Sequence, residues 1–326
     1  MLGPVATTAL TNLDLNLLLA LEALLAERNV TRAAARLGLS QPAVSASLAR
    51  LRRHFGDELL HRTGNRYELT PLAEQLVPRV GSAVFGVQRV FDTTPAFDPT
   101  TTEREFTLHL SDYALAMLGG PLTSLVSTRA PGARLRFRPN NAATVDHAFE
   151  ALRGVDGIVV PPGFLAELPN LPLYEDGWTL VVDAHHPVPE GGLTLDDLGR
   201  LPWVTTYHER TAVVTVERQL QMIGVEVDVR VVADSFLALP FLVAGTDHVA
   251  VLPSTLARTL QHAAPVRLVP CPWDPVPLTE SLWWHPSHRA DPAHAWLRSQ
   301  LQEAGRTVTD QQRSHPPTID TVDTRP

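Results

Sequence analysis

Residues 30–55 read VTRAAARLGLSQPAVSASLARLRRHF, a pattern for two short helices joined by a tight turn. Thr31 is placed to cap the first, RAAARL continues it in small and helix-favouring residues, and Gly38 ends it where the chain needs a left-handed residue. Ser40 caps the second helix, and Pro42 sits in its first turn, where a missing N–H costs little. At about 100° per residue, Val44, Leu48, Leu51 and Phe55 fall on one narrow apolar stripe that faces the first helix. The opposite side carries Pro42, Ala46, Ala49, Arg50 and Arg53, flanked by Gln41, Ser45 and Arg52. This thin, donor-rich surface suits a DNA groove. Small Ala34, the turn Gly38 and apolar Val44 have the spacing that two steeply crossing helices require.

Charge points the same way. Residues 28–66 hold eight arginines against Asp57 and Glu58, a net of +6 in a chain whose total is −8. A basic island in an acidic protein is the electrostatic footprint of a nucleic-acid module. All 27 basic residues are arginine, and the absence of lysine excludes both a pyridoxal-phosphate Schiff base and a Walker-type phosphate loop. Cys271 stands alone, so the chain has neither an internal disulfide nor a cysteine-based zinc site. No cofactor is expected. The length of 326 residues, 44% hydrophobic and 19% charged, fits two or three globular domains. LNLLLALEALLA is interrupted by Glu22 and reads as an amphipathic helix, and the N-terminus lacks a signal-peptide pattern, so a cytoplasmic protein without a membrane partner is expected.

Working outward, residues 1–11 read as a loose arm and 13–28 as a helix beneath the other two. LLHRTGNRYELT (59–70) has hairpin character around Gly64 and Asn65, a wing carrying Arg62 and Arg66. Thr70 and Pro71 begin a long helix with Leu72, Leu76, Val80, Val84, Val87 and Phe91 on one stripe, kinked at Pro78. With no sequence-adjacent partner, that stripe is expected to bury against a second copy, giving a two-fold dimer with two reading helices on successive turns of DNA. DTTPAFDPTTTERE (92–105) is a linker by composition. Beyond it, EFTLHLS, RLRFRP, GIVV, WTLVVD, VDVRVVA and HVAVLP are β-rich runs between helical stretches, which predicts an α/β domain with a mostly parallel sheet covered on both faces. Two proline-dense passages, 161–175 and 270–278, are where the chain is expected to cross between subdomains. The polar end, from about residue 304, reads as a disordered tail.

From about residue 12 to 303 the chain resembles the LysR-type transcriptional regulators. The resemblance rests on AARLGLSQPAVSASLARLRRHFGDELLHRTGNRYELTPLAEQL, FTLHLSDYA, GWTLVVDAHHPV and LVAGTDHVAVLPSTLA. Within the family it leans toward the branch of nodulation and aromatic-catabolism regulators. It implies a winged helix-turn-helix over 12–70, a dimerising linker helix over 71–93, and over 104–303 a periplasmic-binding-protein-like effector domain of two α/β lobes. It also implies double-stranded DNA and a small-molecule effector as partners, with assembly as a dimer or tetramer. Gln41, Pro42 and Ser45 match the family's motif at the start of the reading helix. Ala46 departs from it, since many members carry a longer polar residue there, and its base reading is either limited to a thymine methyl or absent. Thr31, Arg32, Ser40, Arg50 and Arg53, with wing residues Arg62 and Arg66, complete the expected DNA-contacting set.

The same resemblance directs attention to a cleft between the lobes. Ser111, and Asn141 with Thr144, offer hydroxyl or amide groups beside helix N-terminal N–H donors, which favours a carboxylate or phenolate effector. Thr205 and Thr206 follow strand-like PWV, and Phe236 and Phe241 are candidates for an aromatic wall. The rival class is an enzyme. No G-x-S-x-G elbow or dinucleotide fingerprint is present, and His285, His288 and His294 match no metal-ligand spacing, so they read as structural residues of a polar loop and helix end.

Overall fold

The computed structural model describes residues 14–63, 66–91, 97–165, 167–206 and 215–314. The loose arm, the turn residues Gly64 and Asn65, the first part of the linker and the last twelve residues of the tail lie outside that set. The chain forms two compact units, Met1–Thr94 and Pro95–Pro326.

In the first unit, α1 (Leu15–Glu27), α2 (Val30–Leu37) and α3 (Gln41–Phe55) surround one core. Leu21, Leu24 and Leu25 of α1 meet Ala33 and Ala34 of α2 and Val44, Leu48 and Leu51 of α3, all buried. The expected stripe of α3 therefore faces inward, with Phe55 half-buried at its end. Only Arg28 and Asn29 separate α1 from α2. Arg28 turns left-handed at φ 47°, and the chain re-enters extended at Asn29, whose side chain accepts the Arg32 N–H. The cap of α2 is thus Asn29, and Thr31 lies inside the first turn, two positions after the cap. Gly38 ends the helix at φ 65°, and Ser40 caps α3 by accepting the Ala43 N–H.

The wing is β1 (Leu60–Thr63) antiparallel to β2 (Arg66–Leu69). Its base is closed by Asp57, whose Oδ1 accepts the Leu59 N–H at 2.6 Å and the Thr70 hydroxyl at 2.7 Å. The Thr70 hydroxyl in turn accepts the Ala73 N–H at 3.1 Å and so starts α4 (Pro71–Phe91), which runs on through Pro78. The stripe of α4 does have a partner in its own chain. It packs on α1, burying Ala73, Val80 and Val84 and half-burying Leu72 and Leu76. The expectation that this stripe buries against a second copy is corrected at Ala73, Val80 and Val84, because tertiary packing brings α1, distant in sequence, against α4. Leu15 and Leu19 of α1 and Val77 of α4 remain exposed.

The second unit has two lobes. In the first, β3 (Glu105–Leu110), β4 (Arg134–Pro139), β5 (Gly157–Val160), β6 (Asn170–Asp176) and β12 (Leu278–Trp283) form a sheet in the order β4-β3-β5-β12-β6. β3 runs parallel to β4 and β5, while β12 is antiparallel to β5 and β6. One face, with Phe106, Leu108, Val159 and Leu282, meets α5 (Asp112–Arg129) and α12 (Pro292–Ser314). The alternate residues Ile158, Val160 and Trp283 pack on the short helices α6 (Ala142–Asp146) and α7 (Ala148–Ala151).

The second lobe contains β7 (Trp178–Asp183), α8 (Leu195–Leu198), β8 (Pro202–Thr206), α9 (Thr215–Met222), β9 (Asp228–Ala233), α10 (Leu239–Val243), β10 (Ala250–Pro253), α11 (Ser254–Leu260) and β11 (Val266–Val269). β7 lies between β10 and β11, antiparallel to both, and β8 pairs in parallel with β9. A bridge between Trp203 and Val249 joins these two ladders. The chain crosses between lobes at Asp176–Gly177, directly after the first proline-dense passage, and again through the second, between β11 and β12.

The expectation of a mostly parallel sheet is corrected, since every described pairing made by β7, β11 and β12 is antiparallel. These strands flank the two crossings, where the chain enters a lobe by turning back along it. The disordered tail is also corrected over residues 304–314, which continue α12, with Ala304, Gly305 and Val308 buried. Small residues make that face, which hydropathy alone passes over. Gly305 is required there, because a β-carbon would run into the Leu173 carbonyl of β6. Among the described residues no helix is long and apolar enough to cross a membrane.

Ala34 is 3% exposed at the α2–α3 crossing, so Ala34→Leu should overpack it and cost about 1–3 kcal/mol of stability, read from denaturant unfolding.

Candidate nucleic-acid interface and effector cleft

Packing the stripe of α3 inward leaves Gln41, Pro42, Ser45, Ala46, Ala49, Arg50 and Arg53 exposed on the other side, with Thr31, Arg32 and Ser40 exposed nearby. Arg62 is exposed on the wing, whereas of Arg66 only the backbone, at the start of β2, is described. Several arginines in the island have structural partners. Arg36 Nη2 reaches both Glu22 oxygens at 2.8 and 2.9 Å, Arg32 pairs with Glu27, and Arg50 Nη1 lies 3.1 Å from Asp14 Oδ2. Arg52 is half-buried and donates to the carbonyls of Glu58 and Leu60 at 2.8 and 3.0 Å, tying the end of α3 to the wing. Arg53 stands apart: among the described residues no carboxylate lies within ion-pair distance of it.

The +6 of the window 28–66 is therefore partly neutralised by acids just outside it. Over Met1–Thr94 ten arginines face eight carboxylates, a net of +2. The basic character is local to the outer face of α3 and the wing.

The cleft candidates fall into three groups. Ser111 Oγ accepts the Ala114 N–H at 3.1 Å and caps α5, while Asn141 Oδ1 accepts both the N–H and the hydroxyl of Thr144 at 2.7 and 2.8 Å. Each is a helix cap at the carboxyl end of a first-lobe strand. Thr205 and Thr206 are buried in β8. Phe236 is buried with its ring edge-on to Tyr113, 6.0 Å between centroids, and Phe241 is exposed on α10. Ser111 and Phe236 thus lie near one another across the lobes, through the residues that follow Ser111.

Those residues escaped the sequence reading. The Asp112 carboxylate accepts from Ser235 Oγ at 2.7 Å and from the N–H groups of Phe236 and Leu237 at 3.1 Å each, a direct link between lobes. Tyr113 donates its hydroxyl to Asp176 Oδ2 at 2.9 Å, and Asp176 Oδ1 accepts from the Gly177 N–H and the Thr255 hydroxyl at 2.8 and 3.0 Å. An aspartate at a helix start reads as a capping residue. Nothing in one dimension signals a partner 123 positions away. Glu280 of β12 lies opposite Tyr174 of β6 and is buried, which pushes its carboxyl up to about 8, so it stays protonated at neutral pH.

The histidines are buried deeper than a polar loop suggests. His288 and His294 are fully buried and stacked, 4.3 Å between centroids. His294 Nε2 donates to the Asp156 carbonyl at 2.6 Å, and its Nδ1 accepts from Arg298 at 2.7 Å. Burial first, then charge on His288, holds its pKa down at about 3, and the Arg298 donor already occupies the lone pair a proton would need. Arg104 completes the cluster, pairing with Asp156 at 2.8 Å and Asp291 at 3.1 Å. Among the described residues no group of His, Cys, Asp and Glu side chains could hold a metal ion. Burial likewise pushes the Cys271 thiol up to about 12, which keeps it unreactive.

Comparison with known proteins gives a consistent result. Residues 15–74 match the family described as "Bacterial regulatory helix-turn-helix protein, lysR family", and residues 100–306 match "LysR substrate binding domain". The chain is 33% identical over 299 residues to nodulation protein D 1 of Rhizobium meliloti (strain 1021), covering 90% of this chain and 96% of the relative. Nodulation protein D of Rhizobium leguminosarum bv. trifolii is 34% identical, covering 92% and 95%. The crystal structure of the probable transcriptional regulator PA0477 from Pseudomonas aeruginosa superposes with a TM-score of 0.71 at 33% identity, covering 90% of this chain and 98% of that one. The full-length CbnR complex with target DNA shares the fold, with a TM-score of 0.59 at 16% identity, covering 91% of this chain and 100% of that one.

Glu280 and His294 pull pH dependence in opposite directions. The folded Glu280 carboxyl binds its proton up to about pH 8 and the unfolded one only to about 4.5, so its contribution is full below 4.5 and lost as pH rises to 8. For His294 the unfolded ring protonates near 6.5 and the folded ring near 3, so its contribution is full above 6.5 and lost as pH falls. Glu280→Gln removes the first arm. Its stability relative to wild type should rise by about 1.4 kcal/mol per pH unit between about pH 4.5 and 8, measured by chemical denaturation across that range.

Proposed function

The chain belongs to the LysR family of bacterial transcriptional regulators, and from that premise we propose that its outer α3 face reads DNA while the crevice between its lobes takes a small acidic or aromatic effector. Regulators of this family bind DNA through the N-terminal helix-turn-helix and a small-molecule effector through the C-terminal domain, and they are oligomeric. The chain is a regulator and not an enzyme.

The observation that carries the reading is the two-sidedness of α3: Val44, Leu48 and Leu51 are buried, while Gln41, Pro42, Ser45, Ala46 and Arg53 are all exposed. Gln41 and Ser45 supply short donors and acceptors for base edges, Pro42 and Ala46 allow close approach with a methyl contact to thymine, and Arg53 reaches a phosphate. Arg50 takes part by exchanging its exposed Asp14 partner for phosphate. Thr31, Arg32, Ser40 and the wing arginines Arg62 and Arg66 lie along the flanking backbone. The proposed division of labour assigns 12–70 to DNA, 71–93 to self-association as a dimer or tetramer, and the residues from 104 to the effector. The exposed Leu15, Leu19 and Val77 favour a second copy against the α1–α4 pair. A cytoplasmic location accords with a DNA-bound role.

For the effector, Ser111, Asn141 and Thr144 place helix N-terminal donors at strand ends, and Phe236 adds an aromatic edge. Thr205 and Thr206 lie beneath the crevice surface, and their part is support of its floor. Energy from effector binding would shift the lobes and, through the oligomer, the spacing of the bound DNA.

In a gel-shift assay with DNA from upstream of the protein's own coding sequence, binding should weaken steeply with salt. Arg53→Ala should weaken binding to all sequences and reduce the salt slope by about 1, while Gln41→Ala should relax preference at one base pair. Operator binding unaffected by both changes would place the reading surface elsewhere. For the effector, a thermal-shift screen of small aromatic and aliphatic acids should find one that stabilises by about 2.7 kcal/mol at a hundred times its Kd.

A further inference from the structure

A single side chain fastens the two lobes where α5 begins. Half-buried Asp112 donates nothing and accepts four times: Oδ1 from the N–H groups of Tyr113 at 2.8 Å and Phe236 at 3.1 Å, Oδ2 from Ser235 Oγ at 2.7 Å and the Leu237 N–H at 3.1 Å. Three of those donors belong to one turn of the second lobe. Ser235 Oγ also accepts the Ala238 N–H at 3.2 Å, which curls residues 235–238 so that the donors converge. A concave array of successive backbone N–H groups with one hydroxyl is how proteins hold a carboxylate, and here the carboxylate is the chain's own, delivered from the opposite lobe. Asp176 is different. It is buried at the crossing itself, held by Gly177 and Thr255, and has the character of a pivot. Asp112 is the neighbour along α5 of Tyr113, which donates to Asp176 at the first crossing, but it is partly open to solvent and belongs to neither connecting segment, so parting it from its donors strains no covalent connection.

We propose that the 235–237 turn is a carboxylate-binding nest, that Asp112 fills it and so latches the lobes together, and that a small molecule bearing a carboxylate opens the cleft by taking its place. The exchange swaps one carboxylate for another on the same donors, so selectivity arises from the remainder of the molecule. The last part of the proposal rests on the reading of the crevice as the effector site. The latch itself does not.

Hydrogen exchange in the full chain tests the latch without DNA. In Asp112→Ala, the amides of Phe236 and Leu237 should exchange roughly tenfold to a hundredfold faster while those of β7 and β10 are unchanged, since hydrogen bonds to a charged group are the ones removed. Sodium acetate should restore their protection in this variant, and sodium chloride at the same ionic strength should not. Unchanged exchange, or equal restoration by chloride, overturns the nest. If Asp112→Ala does not fold, Ser235→Ala decides: faster exchange at Leu237 supports the converging array and unchanged exchange overturns it. For displacement, spin labels on the two lobes of the wild type should move apart on addition of sodium benzoate while the Phe236 and Leu237 amides stay protected. No change in separation overturns displacement. Operator binding is measured alongside, and its persistence when the latch tests fail would leave the DNA-binding reading intact.

Discussion

Carboxylates that accept hydrogen bonds from distant parts of the chain hold both units in shape. Asp57 gathers the Leu59 N–H and the Thr70 hydroxyl and so closes the wing. Asp156 takes the Thr107 N–H at 2.8 Å and the Arg104 guanidinium, fixing β5 against β3. Asp176 and Asp112 do the same between lobes. In a chain without lysine, these carboxylates are satisfied by arginine, by hydroxyls and by backbone N–H groups, donors more rigidly placed than a flexible ammonium. Leaving buried Asp156 or Asp176 unpaired would cost far more than a surface charge, so the segments those two join cannot drift.

This arrangement separates two kinds of arginine that composition treats alike. Arg36, Arg52 and Arg104 hold structure, each with a carboxylate or carbonyl partner inside its own unit. Arg53 faces outward. A charge count over residues 28–66 made the helix-turn-helix look far more basic than it is, because Asp14, Glu22 and Glu27 lie just upstream in sequence and directly alongside in space. Steering toward DNA then depends on where the positive charges sit on the surface, more than on the unit's total.

In the second unit the same chemistry joins two lobes. The chain crosses between lobes twice, and both crossings lie beside antiparallel strands that start or end there. A polar knot of Tyr113, Asp176 and Thr255 sits at the first crossing, and a more exposed carboxylate bridge sits one residue away along α5. Tyr113 and Asp112, adjacent in α5, thus each tie the first lobe to the second, one through buried Asp176 and the other directly.

Helix α3 with its cap at Ser40, the turn at Gly38 that ends α2, the inward stripe of α3 and the alternation of helices and strands after residue 104 were legible in the sequence alone, because each is set by local periodicity and by residues with special backbone geometry. Family likeness was legible for the same reason, since the motif is local. Tertiary structure alone decided the rest: that α4 lies on α1, that α12 extends to Ser314 on a face of small residues, that His288 and His294 are buried, and that Asp112 answers to Ser235. Each of these depends on groups far apart in the chain meeting in space, and no window of neighbouring residues carries information about a partner that only folding brings within 3 Å.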